Sequence, residues 1–206
     1  MTTDDRIIRR SLDEPAVFGD LFERHGSSIF RYVARRVGRE VAEDVMSETF
    51  LVAFHSRSRF DTGRTDARPW LYGIANNLVH RHFSAETRRF AAMENAPADH
   101  ISPDAFERVA DRLDAIAHVG VLGRALAALK PIDRDTLLLY AWGDLDYEGI
   151  AQATGTAIGT VKSRLNRARK QIRNTTTWSV APRSQVETGK TMTGQASEDG
   201  ATVWTS

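Results

Sequence analysis

The chain has no cysteine. That excludes disulfides, thiolate metal sites and thiol redox sensing, and it fits an expected cytoplasmic location. No apolar run approaches the length that spans a bilayer, so membrane insertion is not expected. The N-terminal stretch MTTDDRIIRR lacks the apolar core of a secretion signal. Net charge is nearly absent too, +1 over 206 residues, so bulk charge gives no pointer to a partner. The chain also lacks a Gly-x-x-x-x-Gly-Lys phosphate loop, because Gly155 and Gly159 have the wrong spacing relative to Lys162. His80 and His82 stand at i, i+2 on a helix and point apart, which makes them poor metal partners. Asp44 and Glu48 have metal-compatible i, i+4 spacing, but no histidine joins them. No nucleophile–base constellation is present. The expectation is therefore a non-enzyme with no cofactor and no metal.

What is present is helical patterning. The composition, 41% hydrophobic and 27% charged, is that of an ordinary soluble globular protein. No convincing period-two strand stands out. A first helix is predicted from Glu14 to Val37, with Phe18, Leu21, Phe22, His25, Ile29, Tyr32 and Val33 as its inner stripe. A second is predicted from Glu40 to His55. Ala42, Val45, Met46, Thr49, Phe50, Ala53 and Phe54 face inward, and Glu40, Asp44, Ser47, Glu48 and a stranded Leu51 face out. After a polar loop, SRFDTGRTD (58–66), a third helix is predicted from Pro69 to about Phe83. Glu94 to Asp104 reads as a linker, and helical patterning resumes at Ala105. Beyond Asn174 the Thr-, Ser- and Gly-rich chain reads as a mostly disordered tail. The expected fold is all-α. Two small helical domains, residues 10–90 and 116–173, are joined by a flexible linker, 91–115, and followed by a tail, 174–206.

Charge is unevenly distributed. Acids outnumber bases from Ala91 to Ala157. From Ile158 to Arg173 the chain carries Lys162, Arg164, Arg167, Arg169, Lys170 and Arg173 and no acid. Such an abrupt sign change marks a local anion-binding surface. The preceding residues have the grammar of a helix-turn-helix. Asp146 can cap a short helix over Tyr147–Ala153, Gly155 supplies the turn, and Thr156 can cap a second helix. On that second helix Val161, Leu165, Ala168 and Ile172 make one narrow apolar seam. Thr160, Lys162, Ser163, Arg164, Asn166, Arg167 and Lys170 lie on the rest, where Arg and Asn forks suit base edges and phosphates. A merely soluble basic helix explains the charge but not the cap, the turn glycine and the acid-free second helix together.

The string DLDYEGIAQATG followed by GTVKSRLNRAR (Gly159 to Arg169) resembles the promoter-reading C-terminal domain of bacterial extracytoplasmic-function sigma factors. A second resemblance lies upstream in AEDVMSETFLVAF (Ala42 to Phe54), RPWLYGIANNLVHRHF (Arg68 to Phe83) and Arg88-Arg89. These strings are similar to the core-binding and promoter-opening domain of the same family. Together the two cover most of the chain from Phe18 to Arg173. The resemblance implies that the first domain docks on the β′ clamp helices of core RNA polymerase and captures the melted minus-ten strand. It implies that the second reads the minus-thirty-five element of promoter DNA and contacts the β flap. Asp44, Glu48 and Phe50, with exposed Leu51 beside them, fall where the family meets the clamp. The loop containing Phe60, with Asn77, falls where it holds an extruded base, and Arg81, Arg88 and Arg89 continue that DNA-facing region. An anti-sigma partner is expected because the family usually has one. Trp70 reads as core. Gly149 departs from the pattern, standing where an acid is common, and weakens the first helix of the motif. The competing reading is a stand-alone helix-turn-helix repressor or activator with a helical regulatory domain. It needs a ligand pocket or phosphoacceptor where this chain carries clamp-docking and Asn77 strings.

Overall fold

A computed structural model of the chain describes residues 2–93 and 117–179. Its helices are α1 (Asp4–Asp13), α2 (Gly19–Val37), α3 (Arg39–Ser56), α4 (Arg68–Met93), α5 (Ala117–Ala127), α6 (Pro131–Trp142), α7 (Tyr147–Thr154) and α8 (Ile158–Ser179). Short 3-10 turns lie at Pro15–Phe18 and Arg57–Arg59. No strand occurs among the described residues, and none of their helices is long and apolar enough to cross a membrane.

Helix α1 has no counterpart among the helices predicted from the sequence. It has only two adjacent isoleucines to bury, too few for a periodic signal, yet Ile7 and Ile8 are both within the core. Burying each is worth ~1.5–3 kcal/mol. Acids at Asp4 and Asp5 sit at its N-terminal end, where the helix dipole favours them. The predicted first helix is really a 3-10 turn, opened by Pro15, that runs into α2. Phe22, expected inside, is 40% exposed. Gly38 separates α2 from α3 with a φ of +84°, a conformation that glycine adopts without steric cost.

Helices α2, α3 and α4 pack on one another, with α1 against α2 and the Arg57–Arg59 turn. Helices α5, α6 and α7 all pack on α8. Helix α4 continues to Met93, well past Phe83, and α8 continues to Ser179, past Asn174. The linker read over Glu94–Asp104 and the helical start at Ala105 lie outside the described residues, as does the tail from residue 180 onward.

The two groups of helices meet where α4 crosses α7. The crossing is close because glycine stands on both sides. A Cβ on Gly73 would lie 2.8 Å from the Ala153 carbonyl oxygen, and one on Gly149 3.3 Å from Pro69 Cγ. Beside it runs a buried polar bridge. Arg36 is fully buried and donates from Nη2 to Asp135 Oδ1 at 2.7 Å. Its Nη1 donates to the Tyr32 hydroxyl at 3.0 Å and to the Asn76 side-chain oxygen. His80 Nε2 pairs with the other Asp135 oxygen at 2.6 Å. Burial alone raises the Asp135 pKa, but the His80 hydrogen bond and the Arg36 charge outweigh it and hold the carboxyl below its usual range. Burial pushes the Tyr32 hydroxyl up to about 12, so it stays a neutral partner. Arg35 stacks over Trp142 at 5.6 Å on the same side.

Candidate nucleic-acid and polymerase interfaces

The helix-turn-helix is built by local chemistry. The Asp146 side chain accepts the Gly149 N–H at 2.7 Å and so caps α7, as expected. Gly155 closes α7 in the left-handed region, φ 61° and ψ 34°. Thr156 does not cap α8. Its hydroxyl pairs with Thr154 at 2.9 Å, and the first α8 turn closes on the Ala157 carbonyl instead. Gly149 weakens the helix less than its helix propensity suggests, because its missing side chain admits Pro69 and the cap.

Along α8, Val161, Leu165 and Ala168 are buried and Ile172 packs half-buried against the same core. Lys162, Ser163, Asn166, Arg167 and Lys170 are exposed, and Thr160 and Arg164 are half-buried. The two arginines expected to read bases are less available than their sequence position implies. Arg167 is drawn back onto buried Asp133, with Nη2 to Oδ1 at 2.9 Å and Nε to Oδ2 at 3.1 Å. Arg164 Nη1 is buried and makes no hydrogen bond. Arg169 lies over the Tyr140 ring at 4.9 Å, a packing role. The outermost polar groups on this stretch therefore include Lys162, Asn166 and Lys170.

On α4, Asn77, Arg81 and Arg88 are exposed and Ser84 is half-buried. Their i, i+4, i+7, i+11 spacing puts them on one stripe, with Arg89 beside it. The neighbouring Asn76, one residue earlier, is committed to the buried Arg36 bridge. Phe60 needs correction as a base-holding residue. It is 8% exposed and packs on Trp70 at 5.1 Å between ring centroids, because the loop turns it inward as a hydrophobic plug. The polar loop that follows it remains at the surface. Asp61, Gly63, Arg64 and Thr65 are exposed there.

On α3, Asp44, Glu48 and Leu51 stand at i, i+4, i+7 on one exposed face, Leu51 at 54%. Phe50 does not share it. It is 6% exposed and meets Phe22 edge-on at 5.0 Å, on the inward side of the same helix. Arg81 of α4 forms an ion pair with Glu48, so the acidic face and the α4 stripe adjoin. At the surface such a pair contributes little and can be exchanged.

Comparison with known proteins places both regions. Residues 21–89 match the Sigma-70 region 2 family and residues 120–172 match Sigma-70, region 4. The chain is 29% identical over 165 residues to the ECF RNA polymerase sigma factor BldN of Streptomyces coelicolor, covering 79% of this chain and 61% of that protein. It is 31% identical over 176 residues to SigE of Mycolicibacterium smegmatis, covering 84% and 64%. The chain thus spans under two thirds of each of those relatives. Against the ECF sigma factor SigL of Mycobacterium tuberculosis strain H37Rv it is 31% identical over 175 residues, covering 82% of this chain and 94% of SigL. The fold is shared with the solved structure of CnrH in complex with the cytosolic domain of CnrY. That match has a TM-score of 0.60 and 22% identity and covers 85% of this chain and 97% of that one. It is shared too with the sigma factor RpoE of Bartonella quintana, solved with the anti-sigma factor NepR. There the TM-score is 0.57 at 21% identity, covering 78% and 96%. With two matched regions in order and a relative matched over nearly its whole length, the chain belongs to the ECF sigma factors of RNA polymerase.

Proposed function

We propose that the chain binds core RNA polymerase, directs it to specific promoters and helps open the DNA for initiation. The observation that carries this reading is the pairing of two unlike exposed polar surfaces in one chain. One is a capped helix-turn-helix whose second helix bears no acid up to Arg173. The other is the α4 stripe of Asn77, Arg81 and Arg88 beside an exposed polar loop, next to an acidic docking face. A duplex-reading repressor has no use for the second.

The division of roles follows the surfaces. Asp44, Glu48 and Leu51 dock on the β′ clamp helices by charge and an apolar anchor. Asn77 and the exposed part of the loop after Phe60 hold an unstacked minus-ten base, and Arg81, Arg88 and Arg89 follow the backbone. Lys162, Ser163 and Asn166, near the start of α8, read the minus-thirty-five element with Thr160. Lys170 holds phosphate, and Arg164 and Arg167 join once released from their present positions. Residues 10–90 and 116–173 form the two working domains, and an anti-sigma protein controls access to them in the cytoplasm. The test is co-purification of the tagged chain from bacterial lysate. Recovery of β and β′ subunits is expected, and their absence from a folded, soluble preparation overturns the reading.

A further inference from the structure

Helix α1 lies outside the matched region, which begins at residue 21, yet it is tied to the loop that leads into α4. Asp4 is the centre of that tie. It is 4% exposed, and its carboxylate accepts from Arg24 Nη1 at 2.5 Å, from the Ala67 N–H at 2.9 Å and pairs with His25 Nε2 at 2.8 Å. Its own N–H donates to the Thr65 carbonyl at 3.1 Å. Two more bonds cross between the same pair of segments. Arg9 donates to the Thr62 carbonyl at 2.8 Å, and Arg57 donates to the Ser11 carbonyl at 3.3 Å. The segment from 57 to 67 is thus fastened to α1 at Arg57, Thr62, Thr65 and Ala67.

Between the fastenings the loop folds on itself. Asp61 accepts from the Gly63 N–H at 3.1 Å and from Arg64 Nε at 2.9 Å. The turn is exposed, while the Asp4 carboxylate that anchors it is buried. Ordering an untied backbone costs conformational entropy each time a ligand demands one conformation. Meeting that cost in the free protein makes the loop a pre-set receptor. Asp4 itself is too buried, and too fully engaged by cations and N–H groups, to touch DNA.

We infer that α1 is a strut that pre-sets the 61–67 loop for the unstacked promoter base, with Asp4 as its positioning residue. The inference rests on the proposed role of that loop in base capture. It assigns α1 a function in promoter opening, separate from polymerase docking on α3 and duplex reading on α8.

The test is a two-way cycle on the holoenzyme, core polymerase plus the full chain. The probe is a forked promoter fragment with a single-stranded minus-ten element, taken from a promoter the chain transcribes. Affinity is measured with the intact strand and with an abasic site scanned through the element one position at a time. For wild type, one position should cost about tenfold or more, the value of one stacked base. For Asp4→Asn the intact strand should bind correspondingly more weakly, and the abasic site should cost less than about twofold. Arg9→Ala, a surface change, should reduce the abasic cost partway and keeps the test open if Asp4→Asn does not fold. A folded Asp4→Asn, or failing that Arg9→Ala, with the full wild-type abasic penalty overturns the positioning role. A wild type indifferent to every abasic site instead overturns base capture, and the inference falls with it.

Discussion

Asp4, Lys162 and Asn166 show how differently polar residues are used here. Asp4 is structural. Burial alone raises its pKa, but hydrogen bonds from His25, the Ala67 N–H and Arg24, with the charge of His25, bring it down to about 2. Because the folded pKa lies below the unfolded value of ~3.9, the stabilisation is fully present above that value and is lost as pH falls toward 2. The difference corresponds to ~2 kcal/mol. Acid unfolding of wild type and Asp4→Asn should therefore converge below pH ~4, with wild type more stable above it. Parallel curves across that range contradict the assignment. Lys162 and Asn166, by contrast, are exposed and aimed outward from α8. Asn166→Ala should relax selectivity at one promoter position at a cost of ~1–3 kcal/mol. Lys170→Ala should weaken all sequences alike and lower the salt slope by about one. Binding titrations on substituted promoters at several salt concentrations distinguish the two. Arg167→Ala should act through lost contact with Asp133 as well as through DNA.

At the scale of elements, α3 presents two faces with opposite demands. Its inner side, with Phe50, packs on α2, and its outer side carries Asp44, Glu48 and Leu51. Changing Asp44 and Glu48 together to Lys should abolish core polymerase pull-down while the circular dichroism spectrum stays native. A folded double variant that binds core at wild-type strength shows a solvated face only. This helix, like α2 and α8, is legible from the sequence because its apolar residues recur at helical spacing. The Asp146 cap and the Gly155 turn are legible because their chemistry is local. Other features are not local. Phe60 reads as a loop residue, and only the Trp70 ring, ten positions on, makes it core. Phe50 is placed on the docking face by resemblance although its period puts it inside. Helix α1 has too few apolar residues to show a period, and its hold on the loop runs through backbone N–H and carbonyl groups that no side-chain pattern encodes. Arg167 reads as a free recognition arginine because its partner, Asp133, is 34 positions away.

At the scale of the whole molecule, the α4–α7 crossing and the Arg36–Asp135–His80 bridge join the two helix groups that carry the proposed nucleic-acid surfaces. Promoter elements centred at minus ten and minus thirty-five are roughly 25 base pairs apart, ~85 Å at ~3.4 Å each. If the chain works as proposed, helices joined at this crossing cannot touch both, and the crossing is expected to open on polymerase. Gly73→Leu, which forces a side chain against the Ala153 carbonyl, should enlarge the free chain in small-angle scattering and raise its promoter affinity. An unchanged radius in a folded variant contradicts that. On the proposed function the two surfaces dock on core together, and linked binding of this kind raises avidity by ~10²–10⁴. The most direct measurement is therefore a run-off assay with core polymerase, with and without the chain, beside a mobility shift with the chain alone. Weak promoter binding by the isolated chain is expected, with a transcript from one start site, without ATP-driven opening, once chain and core are combined. Tight promoter binding by the chain alone, with no start-site-specific transcript when core is added, would contradict it.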